Sequence, residues 1–175
     1  MDDWCRQNGQ GEFDEAGRWA KSGNAIAPLL DKLLSGPYFD QKRAKSTGRE
    51  LFNLHYLYSV LNSRKEWKNA NPRDVQATLI EFTSQSIAKE IKKSQLDPKP
   101  EIYICGGGAS NTFLMEQISK EFPTQKVSTT DFLGIHPDFV EAAAFAWLAK
   151  QRLSQSPVKL ATGGKHHESV LGGIY

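Results

Sequence analysis

The stretch with the most to offer a ligand is Ile104-Cys-Gly-Gly-Gly-Ala-Ser-Asn111. Gly106, Gly107 and Gly108 stand between a short β-branched run and an Asn that can open a helix. Such glycines let a backbone approach a bound molecule and leave N–H groups pointing outward at the helix start. The same pattern suits a tight strand-to-helix turn that needs a positive φ and binds nothing, and the residues alone do not choose between the two. Asn111 stands where the last glycine of the dinucleotide fingerprint should be, which disfavours a small nicotinamide-dependent oxidoreductase. No Gly-Lys-Ser/Thr follows to make a P-loop, so the turn fits a nucleotide held along its base and sugar better than one wrapped by its triphosphate.

Lys45-Ser-Thr-Gly-Arg-Glu50 places two cations, two hydroxyls and a glycine at a loop-to-helix junction. Lys45, Ser46, Thr47 and Arg49 are therefore candidate anion contacts, a point charge and a planar fork beside free N–H groups. The competing expectation, which the spacing favours, is a capped helix with Ser46 or Thr47 capping and Glu50 completing the box. Asp131, Asp138 and Glu141 gather around Gly134-Ile-His-Pro137, where carboxylates near a helix N-terminus commonly do no more than complement the dipole. Chemistry would require one of them to face the same cleft as the glycines. His136, His166 and His167 lack metal-ligand spacing, and the last two read as a surface pair, so no metal site is expected. Cys105 reads as buried packing rather than a nucleophile.

These residues need elements to position them. Ile26, Leu29, Leu30, Leu33 and Leu34 predict a helix over Asn24 to Ser35, stopped by Gly36-Pro37. An aromatic loop follows, then a helix over Leu51 to Leu61 with Leu54, Leu57, Tyr58 and Leu61 inward. Asn62 to Asn71 is polar, an exposed loop or a helix end. Asn71-Pro72 signals a long helix from Arg73 to about Lys93, with Val75, Leu79, Phe82 and Ser86 on one line and Ile80, Ile87 and Ile91 on its neighbour. Glu101 to Cys105 is a strand, Asn111 opens a helix ended by Pro123, and Gln125 to Thr129 is a second strand. Pro137 begins a last helix to Leu153 with Val140, Ala143, Ala144, Trp147 and Leu148 inward. The tail carries one possible strand, Ser169 to Leu171. This is an α/β arrangement with its ligand site at the carboxyl end of a strand.

The 175 residues suit one domain or one lobe of a larger protein. A net charge of +2 with 24% charged residues gives no electrostatic reason to expect nucleic acid or a membrane surface. No apolar run is long enough to span a bilayer, and the acidic start has no secretory h-region, so the cytoplasm is expected. Two cysteines, Cys5 and Cys105, exclude a disulfide scaffold and a four-Cys zinc site.

Several motifs then fall in series: Pro37-Tyr38-Phe39, Lys45 to Glu50, Cys105 to Asn111, Ser128-Thr-Thr-Asp131 with Gly134, Glu141 to Ala149, Thr162-Gly163 and Leu171 to Tyr175. In this order, running from Trp4 to Tyr175 with Phe13-Asp14 and Gly17 near the start, the sequence resembles the anhydro-N-acetylmuramic acid kinases, and their C-terminal part only.

The resemblance implies the actin-like ATPase, or sugar kinase (ribonuclease H-like), fold: a helix-rich C-terminal lobe with a small mixed sheet. It implies a cytoplasmic enzyme of peptidoglycan recycling that uses ATP and Mg²⁺ to convert 1,6-anhydro-N-acetylmuramic acid and water to N-acetylmuramic acid 6-phosphate. Residues 1–175 would form a single nucleotide-side domain. The family's N-terminal lobe with its phosphate loop, and the Asp-Thr-Gly-Pro segment that supplies the catalytic base, have no counterpart here. The chain alone is therefore expected to be inactive. Carried over by position, Gly106, Gly107, Gly108 and Asn111 would hold the adenosine side of the nucleotide. Glu141 would be auxiliary at the sugar, and Lys45, Ser46, Thr47 and Arg49 would be cleft contacts. The expected partners are adenine nucleotide, the anhydro-amino sugar in the full-length protein, and either a second copy or the missing lobe. The alternative is a non-catalytic nucleotide-binding or assembly module derived from that fold. A half-protein exposes what its other lobe would cover, so an apolar patch beside the glycine turn, with self-association through it, is expected.

Overall fold

The computed structural model describes residues 1–41, 47–48, 50–94, 101–162 and 165–173. Among these the helices are α1 (Asp2–Gln7), α2 (Arg18–Lys21), α3 (Ala27–Leu34), α4 (Leu54–Leu61), α5 (Lys65–Lys68), α6 (Pro72–Lys93), α7 (Thr112–Glu121) and α8 (Val140–Leu153). The strands are β1 (Ile102–Ile104), β2 (Val127–Thr129), β3 (Val158–Thr162) and β4 (Lys165–Ser169). No helix among the described residues is long and apolar enough to cross a membrane.

The other elements gather around α6. The Asn71 side chain accepts from the Arg73 N–H at 3.2 Å, and Pro72 sits where a missing N–H goes unnoticed. Its buried residues, Val75, Gln76, Ala77, Thr78, Ile80, Ser84 and Ala88, go round the helix instead of following one stripe. The reason is that α6 divides two apolar clusters. On one side lie Trp4, Leu29, Leu33, Leu57, Val60, Leu61 and Trp67, from α1, α3, α4 and α5. On the other lie Ala20 of α2, Ile102 of β1, Leu114 and Ile118 of α7, and Phe122. Val75 and Ile80 are buried as expected, whereas Leu79, Phe82, Ile87 and Ile91 on the same lines pack only at the cluster margins. Polar tethers fix the register: Trp4 Nε1 donates to the Pro72 carbonyl at 2.9 Å, and Thr78 Oγ1 accepts from Ile26 N at 2.9 Å.

The predicted helix before Gly36-Pro37, the strand at Ile102–Ile104 and the Asn111-capped helix all form. Elsewhere the structure corrects the reading. Helix α4 starts at Leu54, because Asn53 caps it by accepting from Tyr56 N at 2.9 Å. Val60 is buried with the expected Leu57 and Leu61, whereas Tyr58 is exposed and bonds Gln7. Glu50 completes no capping box; its Oε1 accepts from Gly48 N at 2.8 Å and from the Thr47 hydroxyl at 3.4 Å. The polar stretch before Asn71 holds α5, whose Trp67 is buried under the Arg64 guanidinium at 4.7 Å. The tail forms an antiparallel hairpin of β3 and β4, pairing Val158 with Ser169, instead of a strand at Ser169 to Leu171. The sheet is not one mixed sheet, since β1 and β2 pair in parallel apart from that hairpin.

The largest departure is α8, which has no buried residue. Val140 and Leu148 are half-buried, while Ala143, Ala144 and Trp147 are exposed, because no described element covers the helix. Cys105 is exposed rather than packed. Strand alternation puts Ile102 and Ile104 toward α7, and so turns Tyr103 and Cys105 to the uncovered face.

Candidate functional site

Past the end of β1 the chain turns at Gly106, with φ +74° and ψ −175°, a region that only glycine occupies comfortably. Gly106 N donates to the Pro137 carbonyl at 3.0 Å, which ties the turn to the segment that leads into α8. A single 3₁₀ turn, Gly107–Ser110, then delivers Asn111, whose side chain caps α7 by accepting from Leu114 N at 2.9 Å. The bland explanation, a positive φ, accounts for Gly106 alone. Gly107 and Gly108 have ordinary backbones, and a Cβ built at Gly107 would find nothing within 4 Å. At Gly108 it would make only van der Waals contact, with Leu114 at 3.5 Å. Neither backbone conformation nor internal packing demands glycine there; what these two positions keep is open space.

That space is one wall of a cleft of about 610 Å³, within the range of small-molecule sites. Gly107, Gly108, Ser110, Asn111 and Leu114 line this wall, and Asp2, Arg6, Phe13, Asp14 and Ala16 are among the residues of the opposite one. Gly17 brings the walls together. With φ +72° it lies so close to the head of α7 that a Cβ would collide with Asn111 Oδ1 and come within 2.6 Å of Phe113 Cβ. Thr112 Oγ1 donates to the Ala16 carbonyl at 3.1 Å across the same contact, and Lys21 pairs with Glu116 at 2.9 Å.

The polar groups of the cleft differ in their freedom. Asp14 is buried and committed to structure: it accepts from Trp19 N and Ala20 N, both at 2.9 Å, and from Gln76 Nε2 at 3.3 Å. Arg6 pairs with Asp3 and with Glu12, and the hydrogen bond it donates to the Asp3 carboxylate raises its already high pKa, so it is a permanent cation at the cleft. Phe13 offers a largely exposed ring, 61% accessible. Asp138 is the member of the acidic set that reaches this cleft.

Of the residues singled out from the sequence, the structure thus brings Gly107, Gly108 and Asn111 to one cleft, with Gly106 as its hinge. Glu141 is exposed in the first turn of α8 and does not line it. Thr47 donates to Glu50 in a separate loop, and Lys45, Ser46 and Arg49 lie outside the described residues. Sequence reasoning gave Arg6 and Phe13 no place in the site, because the opposite wall lies far away along the chain and no local pattern links it to the glycines. The available signal was Gly17, a glycine with no turn motif to explain it.

The family model for anhydro-N-acetylmuramic acid kinase matches residues 1–175. The chain belongs to this family. Among its relatives, the anhydro-N-acetylmuramic acid kinase of Saccharophagus degradans is 46% identical over 176 residues, which is 100% of this chain and 46% of that protein. The kinase so named from Coxiella burnetii is 42% identical and that from Actinobacillus pleuropneumoniae 44%, each across 100% of this chain and 46% or 47% of its own length. The chain therefore spans about half the length of the curated relatives it matches.

Proposed function

We propose that this chain is the nucleotide-side, C-terminal lobe of an ATP-dependent anhydro-sugar kinase of the cytoplasm. The observation that carries this reading is the vacant space over Gly107 and Gly108, in a cleft at the capped start of α7. A purine nucleoside lies against the glycines, with the α7 N–H groups and Arg6 on its polar side and the Phe13 ring available for stacking. In the complete enzyme, water adds to C1 of 1,6-anhydro-N-acetylmuramic acid as the C1–O6 bond opens. O6 takes the γ-phosphoryl group of ATP, giving N-acetylmuramic acid 6-phosphate and ADP. The base that activates the water, and the loop that grips the phosphates, belong to the part of the family-length polypeptide outside this chain. Glu141, at the first turn of α8, serves the sugar in an auxiliary role.

The donor set does not suggest a metal cage. Asp14 is filled by three N–H donors, and among the described residues no group of three or more His, Cys, Asp or Glu converges. Mg²⁺ accordingly arrives with the nucleotide's phosphates, whose charge it neutralises. Phosphoryl transfer depends on positioning and charge stabilisation, so the chain alone binds nucleotide weakly and turns nothing over.

Calorimetry with ADP and Mg²⁺ tests the reading, together with the double variant Gly107→Val, Gly108→Val. The open surroundings of both glycines allow the variant to fold, so loss of ADP binding with unchanged circular dichroism is expected. No heat from the folded parent chain, or equal affinity in the variant, would overturn the assignment. Phosphorylation restored by adding the remaining portion of a relative separates a kinase half from a non-catalytic module.

A further inference from the structure

Between Phe13 and α2 the backbone is strained. Ala16 has φ +54° and ψ +12°, and Gly17 follows with φ +72° and ψ +21°. Of two successive residues in the left-handed region, only the glycine is at ease there. An alanine stays in this region when its surroundings over-determine it, and such positions gather at functional sites. Ala16 lines the cleft, and its carbonyl accepts from Thr112 Oγ1 at 3.1 Å at the head of α7.

What holds the bend is Asp14. Its carbonyl accepts from Gly17 N at 3.0 Å, which closes the bend from one end. Gly17 stands at the cap position of α2 with no side chain to fill it, so the first N–H groups of that helix need another acceptor. The Asp14 carboxylate supplies it, one oxygen for Trp19 N and the other for Ala20 N, each at 2.9 Å. Gln76 of α6 donates to the second oxygen at 3.3 Å, while its own Oε1 has no hydrogen-bond partner among the described residues. Asp14 lies at the cleft yet is only 7% exposed. Its oxygens are spent on the protein; Phe13, its neighbour in the chain, is what this wall presents outward.

We propose that Asp14 is a positioning residue for the ligand of this cleft. Anchored to α6, it fixes Phe13 on one side and holds the left-handed bend on the other, and the bend sets the Ala16 carbonyl against the head of α7. Asp14 touches no ligand atom itself. That the ligand is a nucleotide rests on the function proposed above; the bend and its anchor do not.

The variant Asp14→Asn keeps the shape and replaces one acceptor by an NH₂ group, which cannot accept from Trp19 or Ala20. Calorimetry with ADP and Mg²⁺ should show affinity reduced by about tenfold or more, the effect of one buried donor left unpaired. Adding Ala16→Gly should recover most of that loss, because glycine adopts the left-handed conformation without strain and needs no anchor to keep it. The same change in the parent chain should gain much less, so the two substitutions are not additive. Hydrogen exchange gives a readout free of nucleotide. Asp14→Asn should speed exchange by about tenfold at Trp19 or Ala20 and also at Leu114 and Met115 of α7, and Ala16→Gly should slow the latter pair again. Should Asp14→Asn not fold, Thr112→Val cuts the same link from an exposed position; it should weaken ADP by about threefold and speed exchange at Leu114 and Met115. Faster exchange at Trp19 and Ala20 with α7 and ADP affinity unchanged would overturn the proposal, leaving Asp14 a helix cap and nothing more. So would equal gains from Ala16→Gly in both backgrounds, or a Thr112→Val chain that behaves as the parent does. A parent chain that binds no ADP would sink the nucleotide reading instead, and exchange at Leu114 and Met115 would still decide the role of Asp14.

Discussion

Substituting Gly17 by alanine isolates the contact that holds the two walls of the cleft together. Two costs add at this position. The first is the backbone: at φ +72° an alanine is strained by about 1 kcal/mol. The second is the collision with the head of α7. Moving Asn111 Oδ1 aside breaks the cap on Leu114 N, about 1 kcal/mol. Phe113 Cβ, 2.6 Å from the new methyl group, is fixed to the helix and can yield only by shifting the backbone, at roughly 1–3 kcal/mol. The total is about 3–5 kcal/mol, a large part of a small domain's stability. Gly9→Ala provides the control, since Gly9 has φ +68° and a Cβ there meets nothing within 4 Å, so it incurs the backbone cost alone. Urea unfolding followed by tryptophan fluorescence should therefore separate the two variants by about 2–4 kcal/mol. Asn111→Ala alone should cost about 1 kcal/mol through the lost cap, and the double variant should fall short of additivity by a similar amount, because one oxygen cannot be displaced twice. Equal losses from Gly17→Ala and Gly9→Ala, or strict additivity with Asn111→Ala, would show that the walls do not meet as described.

Other perturbations follow from single groups. Of the two thiols, exposed Cys105 should react with a disulfide reagent immediately and buried Cys5 only as the chain opens, so rapid labelling of Cys105→Ser would contradict the burial of Cys5. Burial is also the main cause that raises the Cys5 thiol. Its contribution to stability is therefore complete below the ordinary thiol range and lost as pH climbs through the raised folded value, which urea titrations of the parent chain and Cys5→Ser should reveal. The Glu50 carboxyl is held below its ordinary value by hydrogen bonds from its own backbone N–H and that of Gly48. Its contribution is present above the unfolded value and disappears as pH falls through the folded one; an NMR titration showing an ordinary midpoint would refute this. Trp67→Ala should cost about 3–5 kcal/mol by thermal or urea unfolding, whereas a surface position would lose almost nothing.

Much of the local structure was legible because it is dictated locally. Asn71-Pro72 and Asn111 announce helix starts through their own hydrogen bonds, and Ile102–Ile104 is a strand by composition and by the glycines that close it. Where an element depends on distant neighbours, periodicity failed. Tyr58 and Val60 exchanged places, because α1 offers Gln7 to the tyrosine hydroxyl, which no pattern within α4 reveals. On α6 the expected Val75 and Ile80 are buried, but so are Gln76, Ala77, Thr78, Ser84 and Ala88, because clusters on opposite sides take in residues outside both expected lines. The site was legible on one side only. Glycines beside a helix cap are a local signal, but the opposing Arg6 and Phe13 reach the cleft through the close approach at Gly17.

Helix α8 fails for another reason. Its spacing of Val140, Ala143, Ala144, Trp147 and Leu148 describes a helix with a cover, and no described element supplies that covering surface. The helix is nevertheless not isolated from the site. Its approach segment, Pro137–Phe139, receives the Gly106 N–H at 3.0 Å, so the hinge of the glycine turn and the base of α8 share a hydrogen bond. A partner that fixes α8 would act on the turn through this bond, and a nucleotide at the turn would act on the base of α8. Any coupling between nucleotide at the turn and a partner on α8 would act by one factor in both directions, since linkage allows no asymmetry between affinities.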